Sequence, residues 1–355
     1  MKISIAKSIL ENILIHANPF LEKKDTSLIT SHVYLHASNN QLTLKATDYE
    51  MGFLVQTDSI NIIQEGSITA NGKKFLDIVK ILKDGDVNLE VKDTTLFISQ
   101  GGSNFKLPTF SSNEYPAFPE SENKARISID SQTLIESLKK ITPVIDNNNP
   151  KYELNGALMD IQAQQINFVS TDTKRLALLN IQNQSDSELS LIIPKKAIIE
   201  IQKLFFDDLE LYYDETNLII HSKQYTFFTK LINGKFPDYT RIIPKETLYN
   251  LTLPKAKMVE ILKQITIISV DVKMSFFPSE IVFESLSDDN TEAKIVMEYQ
   301  TPFEEEFVIA MNSKYILDFL NSIQNSEFIM RLNANNAPFI LEEFNFKTIV
   351  MPISL

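Results

Sequence analysis

Ile3-Ser4-Ile5 alternates like a strand, and the next stretch, Lys7-Ser-Ile-Leu-Glu-Asn-Ile-Leu14, spaces its apolar residues like a helix. The same pair of signals returns at Ile127-Ser128-Ile129 with Thr133-Leu-Ile-Glu-Ser-Leu138. It returns again at Leu251-Thr252-Leu253 with Lys257-Met-Val-Glu-Ile-Leu262, each step being 124 residues. Leu42-Thr-Leu-Lys-Ala-Thr-Asp48 and Ile166-Asn-Phe-Val-Ser-Thr-Asp172 are also 124 apart, with a looser echo at Ile281-Val-Phe-Glu-Ser-Leu-Ser287. A repeat of this length sets the architecture. The expected domains are 1–120, 121–245 and 246–355.

A finer period lies inside this one. Six helical segments each carry one acid directly after two apolar residues, at Glu11, Asp77, Glu136, Glu200, Glu260 and Asp318. Each domain therefore reads as two half-repeats, each of one helix plus strands. In four of them a lysine stands four residues earlier (Lys7, Lys73, Lys196, Lys314), on the same helical face as the acid. The bland reading of these acids is helix solubility. Between the helices lie β-branched and aromatic runs such as Val87–Val91 with Thr95–Ser99, and Leu209–Tyr213 with Leu218–His221. Turn signals stand at Asn39-Asn40, Gly101-Gly102 and Asp214–Asn217, so the strands form antiparallel hairpins. The fold class is α+β, with two helices per domain packed on antiparallel sheets. Proline marks the linkers, at Tyr115–Lys124 and from Phe236 to Asn250.

Composition narrows the function. There are no cysteines, and the four histidines (His16, His32, His36, His221) have no metal-ligand spacing. No metal or cofactor is expected, and His32 and His36 read as surface residues of a strand. No phosphate-cradling glycine loop and no hydrolase motif occurs among only eight glycines, so enzyme chemistry has little to stand on. No apolar run is long enough to span a membrane, and the start lacks a signal-peptide core. A cytoplasmic protein without a membrane partner is the expectation.

The net charge of −12 argues against a nucleic-acid partner only if the charge is uniform. It is not. The six helical segments hold 14 lysines against six acids, leaving −20 on the remainder. Helices sharing one face would make it basic, and dispersed lysines give sequence-independent, salt-dependent attraction to phosphates. Lys73, Lys80, Lys196 and Lys203 are the helical candidates. Lysine as an ordinary solvent-facing helix residue explains the count equally well.

Four stretches, in order along this repeat, resemble one family: Leu154-Asn-Gly-Ala157, Ser170-Thr-Asp-Thr-Lys-Arg-Leu-Ala177, Gly234-Lys-Phe-Pro-Asp-Tyr-Thr-Arg-Ile-Ile-Pro244 and Val350-Met-Pro-Ile-Ser-Leu355. The family is the bacterial DNA polymerase III beta subunit, the sliding clamp. The resemblance implies three clamp-type domains assembling head to tail as a dimeric ring, with helices around duplex DNA and sheets outside. It implies a processivity factor without catalysis. The implied partners are duplex DNA, a second copy of the chain, the polymerase III catalytic subunit, the clamp loader, and other polymerases and repair proteins carrying a short motif of the Gln-Leu-x-Leu-Phe type.

The same resemblance places a peptide groove between the second and third domains. Leu176, Pro237, Met351 and Pro352 would supply its apolar walls, and Arg175 and Arg241 would frame its polar end. Leu154, Thr171, Thr173, Ile242, Val350 and Ile353 complete the set. The chain departs from the commoner Thr-Asp-Gly-His-Arg-Leu at Thr173-Lys174, and from Met-Pro-Met-Arg-Leu at Ile353-Ser354. Without the resemblance, Thr171-Asp172 reads as an Asx-type turn. DNA contacts map to Lys24, Tyr152, Lys195 and Lys196. The dimer contact maps to Phe105, Lys106 and Leu107 against Ile267 and Ile268, from the apolar run Ile265–Ile268.

The last stretch, Thr348-Ile-Val-Met-Pro-Ile-Ser-Leu355, reads as a final strand up to Met351, equivalent to Phe105–Leu107 and Phe228–Ile232, that stays apolar where the other repeats turn polar or proline-rich. Two alternatives remain at this stage. One is a peptide-binding scaffold of repeated α+β domains that does not encircle DNA. The other is a hydrolase, which would need converging carboxylates where the sequence offers one per helix.

Overall fold

A computed structural model describes residues 1–182, 188–287 and 291–354. Among them are six α-helices: α1 (Lys7–Ala17), α2 (Gly72–Ile81), α3 (Ser131–Ile141), α4 (Lys195–Leu204), α5 (Lys255–Ile265) and α6 (Ser313–Ser322). Each follows a strand and falls on one of the six acid-bearing segments. Leu10, Ile13, Leu14 and Ala17 of α1 are buried at helical spacing, as are Phe75, Leu76 and Val79 of α2 and Ile316, Phe319 and Leu320 of α6. Asn71 and Asn312 cap α2 and α6 by accepting the N–H of Lys74 and Lys314 at 3.0 and 3.1 Å. Of the four lysines placed four residues before an acid, only Lys7 closes the pair, on Glu11 at 2.7 Å. Lys196 turns instead to Asp48, and Asp318 is taken by Arg175.

The backbone separates into two compact units, 1–135 with 196–231, and 136–195 with 232–355. The central repeat is thus shared between them. In the first unit a five-stranded sheet runs in the order Ile60–Gln64, Lys2–Ala6, Asp86–Lys92, Thr95–Gln100, Ser103–Pro108. An eight-stranded sheet joins the central repeat's strands to the first repeat's where Tyr225–Lys230 pairs antiparallel with Met51–Thr57. In the second unit another eight-stranded sheet forms where Arg175–Gln182 pairs with Phe346–Val350. A four-stranded sheet, Lys294–Glu298, Glu280–Ser285, Asp271–Phe277, Phe307–Asn312, completes that unit.

The three turn signals all form hairpins. Asn39 and Asn40 sit at φ 50° and 57° and Gly101 at 56°, while Asp214 accepts the N–H groups of Thr216 and Asn217 at 2.8 and 2.7 Å. The aromatic core of the first unit mixes repeats, with Phe20 stacked on Phe53 at 5.4 Å and edge-on to Phe227 at 5.9 Å. His32 is not a surface residue. It is buried against Phe110, with its ring nitrogen 3.2 Å from the Thr69 hydroxyl, and burial pulls its pKa down to about 4.

Candidate functional site

The candidate groove residues lie in the second unit. Strand Arg175–Gln182 sends Leu176 and Leu178 to one sheet face, and Leu176 pairs across to Ile349. Leu154, Leu158, Val169, Leu176, Ile192, Ile340 and Ile349 form one hydrophobic cluster with Ile232, Phe236 and Tyr239 of the linker. The linker therefore straps across this face. Ile232 donates its N–H to the Ile192 carbonyl at 2.9 Å, and Asp238 caps a single 3-10 turn at Tyr239–Arg241. The Tyr239 hydroxyl donates to Asp160 at 2.9 Å and accepts from Asn167 at 3.1 Å; burial, aided by Asp160, pushes its pKa above the usual range.

Leu154 and Leu176 are almost fully buried and make the floor, whereas Ile242 and Met351 are each 39% exposed. Pro237, Pro352 and Ile353 are half-buried. The segment after the last strand is fastened, since the Met351 N–H reaches the Lys174 carbonyl at 2.9 Å and the Ile353 N–H reaches Ala310 at 2.8 Å. Beside Pro352 and Ile353 lies a depression of about 290 Å³ bordered by Val308, Ala310 and Asn336. Leu355 lies outside the described residues.

Two groove assignments change. Val350 is fully buried on the opposite sheet face, and Ile349 takes its place in the cluster because successive residues of a strand point to opposite sides. Arg175 does not frame an open polar end. Its side chain is 5% exposed, bonds Asp172 at 2.9 Å, Asp318 at 2.8 Å and the Pro143 carbonyl at 2.9 Å, and stacks on Tyr315 with 4.4 Å to the ring. It braces the turn from below. Asp318 and Tyr315 were not singled out for this by sequence; the repeated-acid pattern set Asp318 against Lys314 on its own helix, and the structure gives it Arg175 instead. Arg241 remains largely exposed, with Asp238 beside it at 2.7 Å.

The stretch Thr171–Arg175 forms an Asx-type turn. Asp172 accepts the N–H groups of Lys174 and Arg175, Thr171 donates its hydroxyl to the Arg175 carbonyl at 2.7 Å, and exposed Thr173 sits at φ 72°.

Of the candidate DNA residues, Lys24, Lys73, Lys80, Tyr152, Lys196 and Lys203 are exposed. Lys196 and Lys203 also touch Asp48 and Glu200. Lys195 is not free for phosphate. Its ammonium donates to the Ile145 carbonyl and to Asn147, both at 2.7 Å, and burial holds it below the usual lysine range. It therefore positions the loop after α3. Among the candidate dimer residues, Phe105 and Lys106 lie on an edge strand, Leu107 faces the core, and Ile267 is 80% exposed with Ile268 half-buried. Ile265, which opened the apolar run, is fully buried in α5 and is unavailable to a partner. Of the repeated acids, Glu11, Glu200, Glu260 and Asp318 are each in an ion pair.

A threefold α+β repeat, with sheets running across its repeats and an apolar cluster beneath a linker strap, defines a protein of the sliding-clamp class. Family models agree: those of the DNA polymerase III beta subunit match residues 1–119 (N-terminal domain), 128–238 (central domain) and 240–354 (C-terminal domain), and the chain belongs to this family. The beta sliding clamp of Helicobacter pylori strain 26695 is 37% identical over 374 residues, covering all of both chains, and that of Vibrio cholerae is 26% identical over 368. A crystal structure of the Helicobacter pylori beta clamp bound to a DNA ligase peptide superposes with a TM-score of 0.95 at 38% identity, over the whole of both chains. The same clamp in complex with diflunisal gives 0.96. The function is that of a sliding clamp.

Proposed function

We propose that this chain pairs head to tail with a second copy into a closed ring around duplex DNA, and holds partner proteins by short apolar peptides in the groove of its second unit. The observation that carries the peptide part is the aliphatic floor of Leu154 and Leu176 beneath a fixed strap, with apolar Met351 left partly open beside it. A relative bound to a DNA ligase peptide supports the same reading. The polymerase III catalytic subunit, the clamp loader and repair proteins are the proposed partners. Tethering by encirclement needs no catalysis by the chain, and its place of work is the cytoplasm. Among the described residues no helix is long and apolar enough to cross a membrane.

Two of the sheet edges that carry no further strand among the described residues favour the ring. Ser103–Pro108, with Phe105 and exposed Lys106, borders the first unit's five-stranded sheet, and Lys294–Glu298 borders the second unit's four-stranded sheet. The edges differ, so joining them is a heterologous contact, with exposed Ile267 and Val296 on the second unit's side. Exposed Lys24, Lys73, Lys80, Lys196 and Lys203, with Tyr152 and the Lys195-held loop, are proposed to meet DNA through its phosphates. The three domains keep the bounds 1–120, 121–245 and 246–355 in this reading.

The test is calorimetric titration of the peptide Gln-Leu-Ser-Leu-Phe into the intact protein and into a variant lacking Met351–Leu355, with mass measured in parallel. Saturable binding to an intact dimer, lost on deletion, is the expected result. Equal binding by both forms would remove the segment from the groove.

A further inference from the structure

The β-hairpin Phe339–Glu343 to Phe346–Val350 turns at Phe344-Asn345, and Phe344 is 77% exposed at φ 51°. Left-handed backbone is costly for a bulky side chain and cheap for glycine or asparagine. The equivalent hairpin of the first repeat shows the cheap solution, with Gly101 at φ 56°. An aromatic in strained backbone with its ring in solvent is a local cost without a folding benefit, and such costs gather at recognition sites.

Phe344 borders a cleft of about 570 Å³ on the sheet face that carries the groove. Its walls are carboxamides, Gln165, Asn167 and Asn180, together with Tyr239 and Ile243 of the strap. The amides are held in fixed orientation. Asn180 donates to Gln165 at 2.7 Å and to Asn167 at 2.8 Å, Asn167 donates to Tyr239, and Asn345 donates to the Asn180 carbonyl at 2.6 Å. The two charged residues of the lining pair with each other, Lys347 lying 3.2 Å from Glu342, and Asp160 behind the wall is held by the Tyr239 hydroxyl. A neutral, preorganised amide wall with an exposed ring suits polypeptide main chain and one apolar side chain, and offers nothing to phosphates.

The cleft continues the groove. Leu176, Leu178 and Asn180 stand on one face of one strand, and half-buried Leu178 and Ile243 both pack on the groove's cluster and line the cleft. From Leu176 to Asn180 is about 13 Å at roughly 3.3 Å per residue, so four further residues of an extended partner reach it. Resting on the peptide-groove reading, we infer that this cleft is a second docking site, taking the neutral extended segment that flanks a partner's groove peptide, with Phe344 as its apolar anchor.

The probes are Gln-Leu-Ser-Leu-Phe and two longer peptides that add Ser-Asn-Tyr-Ser-Asn-Ser before or after it, titrated into the intact protein and into Phe344→Asn. Asparagine accepts the turn's backbone, so this variant should melt no lower than the parent. The expected result is at least a tenfold gain in affinity from one extension, abolished by Phe344→Asn, with the short peptide binding both proteins equally. If the short peptide binds but neither extension helps, or the gain survives Phe344→Asn, the cleft is not a docking site. If the short peptide fails to bind the intact protein, the groove reading itself falls, and the cleft as its continuation falls with it.

Discussion

Two repeat-equivalent corners, one in each unit, are built from the same turn and end in opposite surfaces. Thr47-Asp48-Tyr49-Glu50-Met51 repeats bond for bond as Thr171-Asp172-Thr173-Lys174-Arg175. The threonine hydroxyl donates to the fifth residue's carbonyl at 2.7 Å in both, the aspartate accepts from the fourth and fifth N–H groups in both, and the third residue sits at φ 71° or 72°. Even the incoming strand is fastened alike, Lys230 N–H to the Glu50 carbonyl at 2.8 Å and Met351 N–H to Lys174 at 2.9 Å. The next cross-strand pair differs. In the first unit Gly52 faces Phe228, whose ring lies where a Cβ on Gly52 would stand, 2.0 Å away. That ring meets Phe118 edge-on at 4.9 Å, and the Lys45 ammonium covers Phe118 at 5.4 Å and Tyr34 at 5.6 Å. An aromatic plug fills the corner. In the second unit Leu176 faces Ile349, and the rings that pack on this pair's cluster, Phe236 and Tyr239, come from the linker strap and not from the cross-strand partner. The turn chemistry is shared, while the cross-strand pair beside it differs, Gly52 with Phe228 in one corner and Leu176 with Ile349 in the other.

The largest difference to break is the brace. The fifth turn position is buried Met51 in the first unit and buried Arg175 in the second, where it bridges Asp172 and Asp318. Arg175→Met copies the first unit but leaves two carboxylates facing each other with little water. Loss of one partner from a buried ionic network costs roughly 3 kcal/mol. Urea unfolding should show a lower midpoint of about that size, with Met51→Leu nearly silent beside it. An unchanged midpoint would mean that the brace does not hold the turn.

The plug can be moved. Leu176→Gly with Ile349→Phe writes the first unit's pair into the second, and a ring over the glycine would close the groove floor. The Gln-Leu-Ser-Leu-Phe peptide should then bind about 100-fold more weakly, near 2.7 kcal/mol, with folding lowered by about 1 kcal/mol for the new glycine. The reverse exchange, Gly52→Leu with Phe228→Ile, should create no second peptide site, because Phe118, Tyr34 and Lys45 still occupy that corner. Calorimetry on both variants checks the pair; an open groove after the first exchange would show that the floor, not the ring, controls access.

The shared part of this comparison was legible in the sequence. Thr47-Asp48 and Thr171-Asp172 appear at one spacing, hairpins announce themselves in Asn39-Asn40 and Gly101-Gly102, and helix faces follow from apolar periodicity. What separates the corners was not. Gly52 and Phe228 are remote in sequence, and strand pairing between repeats is a non-local choice that no local pattern states. Val350 entered the groove set through the resemblance, and the strand phase that puts Ile349 and not Val350 in the cluster with Leu176 is not written in the local sequence. Arg175 likewise entered as an open polar end, and its partner Asp318 is 143 residues away, so only the fold brings them together.

The smallest expected effect is acid sensitivity, tested on one carboxylate in each unit, Asp214 and Glu343, each held below its ordinary range. Asp214 in the first unit is raised by burial, but the Lys124 ion pair and the N–H groups of Thr216 and Asn217 outweigh this and bring it to about 2. Glu343 in the second unit is also raised by burial, yet the N–H groups of Asn325 and Gln324, at 2.8 and 2.9 Å, and the Lys140 ammonium at 3.2 Å bring it below its ordinary value. In both cases the folded pKa lies under the unfolded one, so the stabilisation is complete above the unfolded value and fades as pH falls through the folded one. For Asp214, which is over a third exposed, solvent screening limits it to about 1 kcal/mol at neutral pH. Asp214→Asn and Glu343→Gln should therefore each melt lower than the parent at pH 7. The deficit should shrink steadily below pH 4.5 for Glu343→Gln and between pH 3.8 and about 2 for Asp214→Asn. Glu343 is the more enclosed of the two, with its side chain 3% exposed against 37%, so its deficit at pH 7 should be less sensitive to added salt. A deficit in either variant that stays constant from pH 7 to pH 2 would mean the lost contact is steric, and that the charge on that carboxylate does not stabilise its unit.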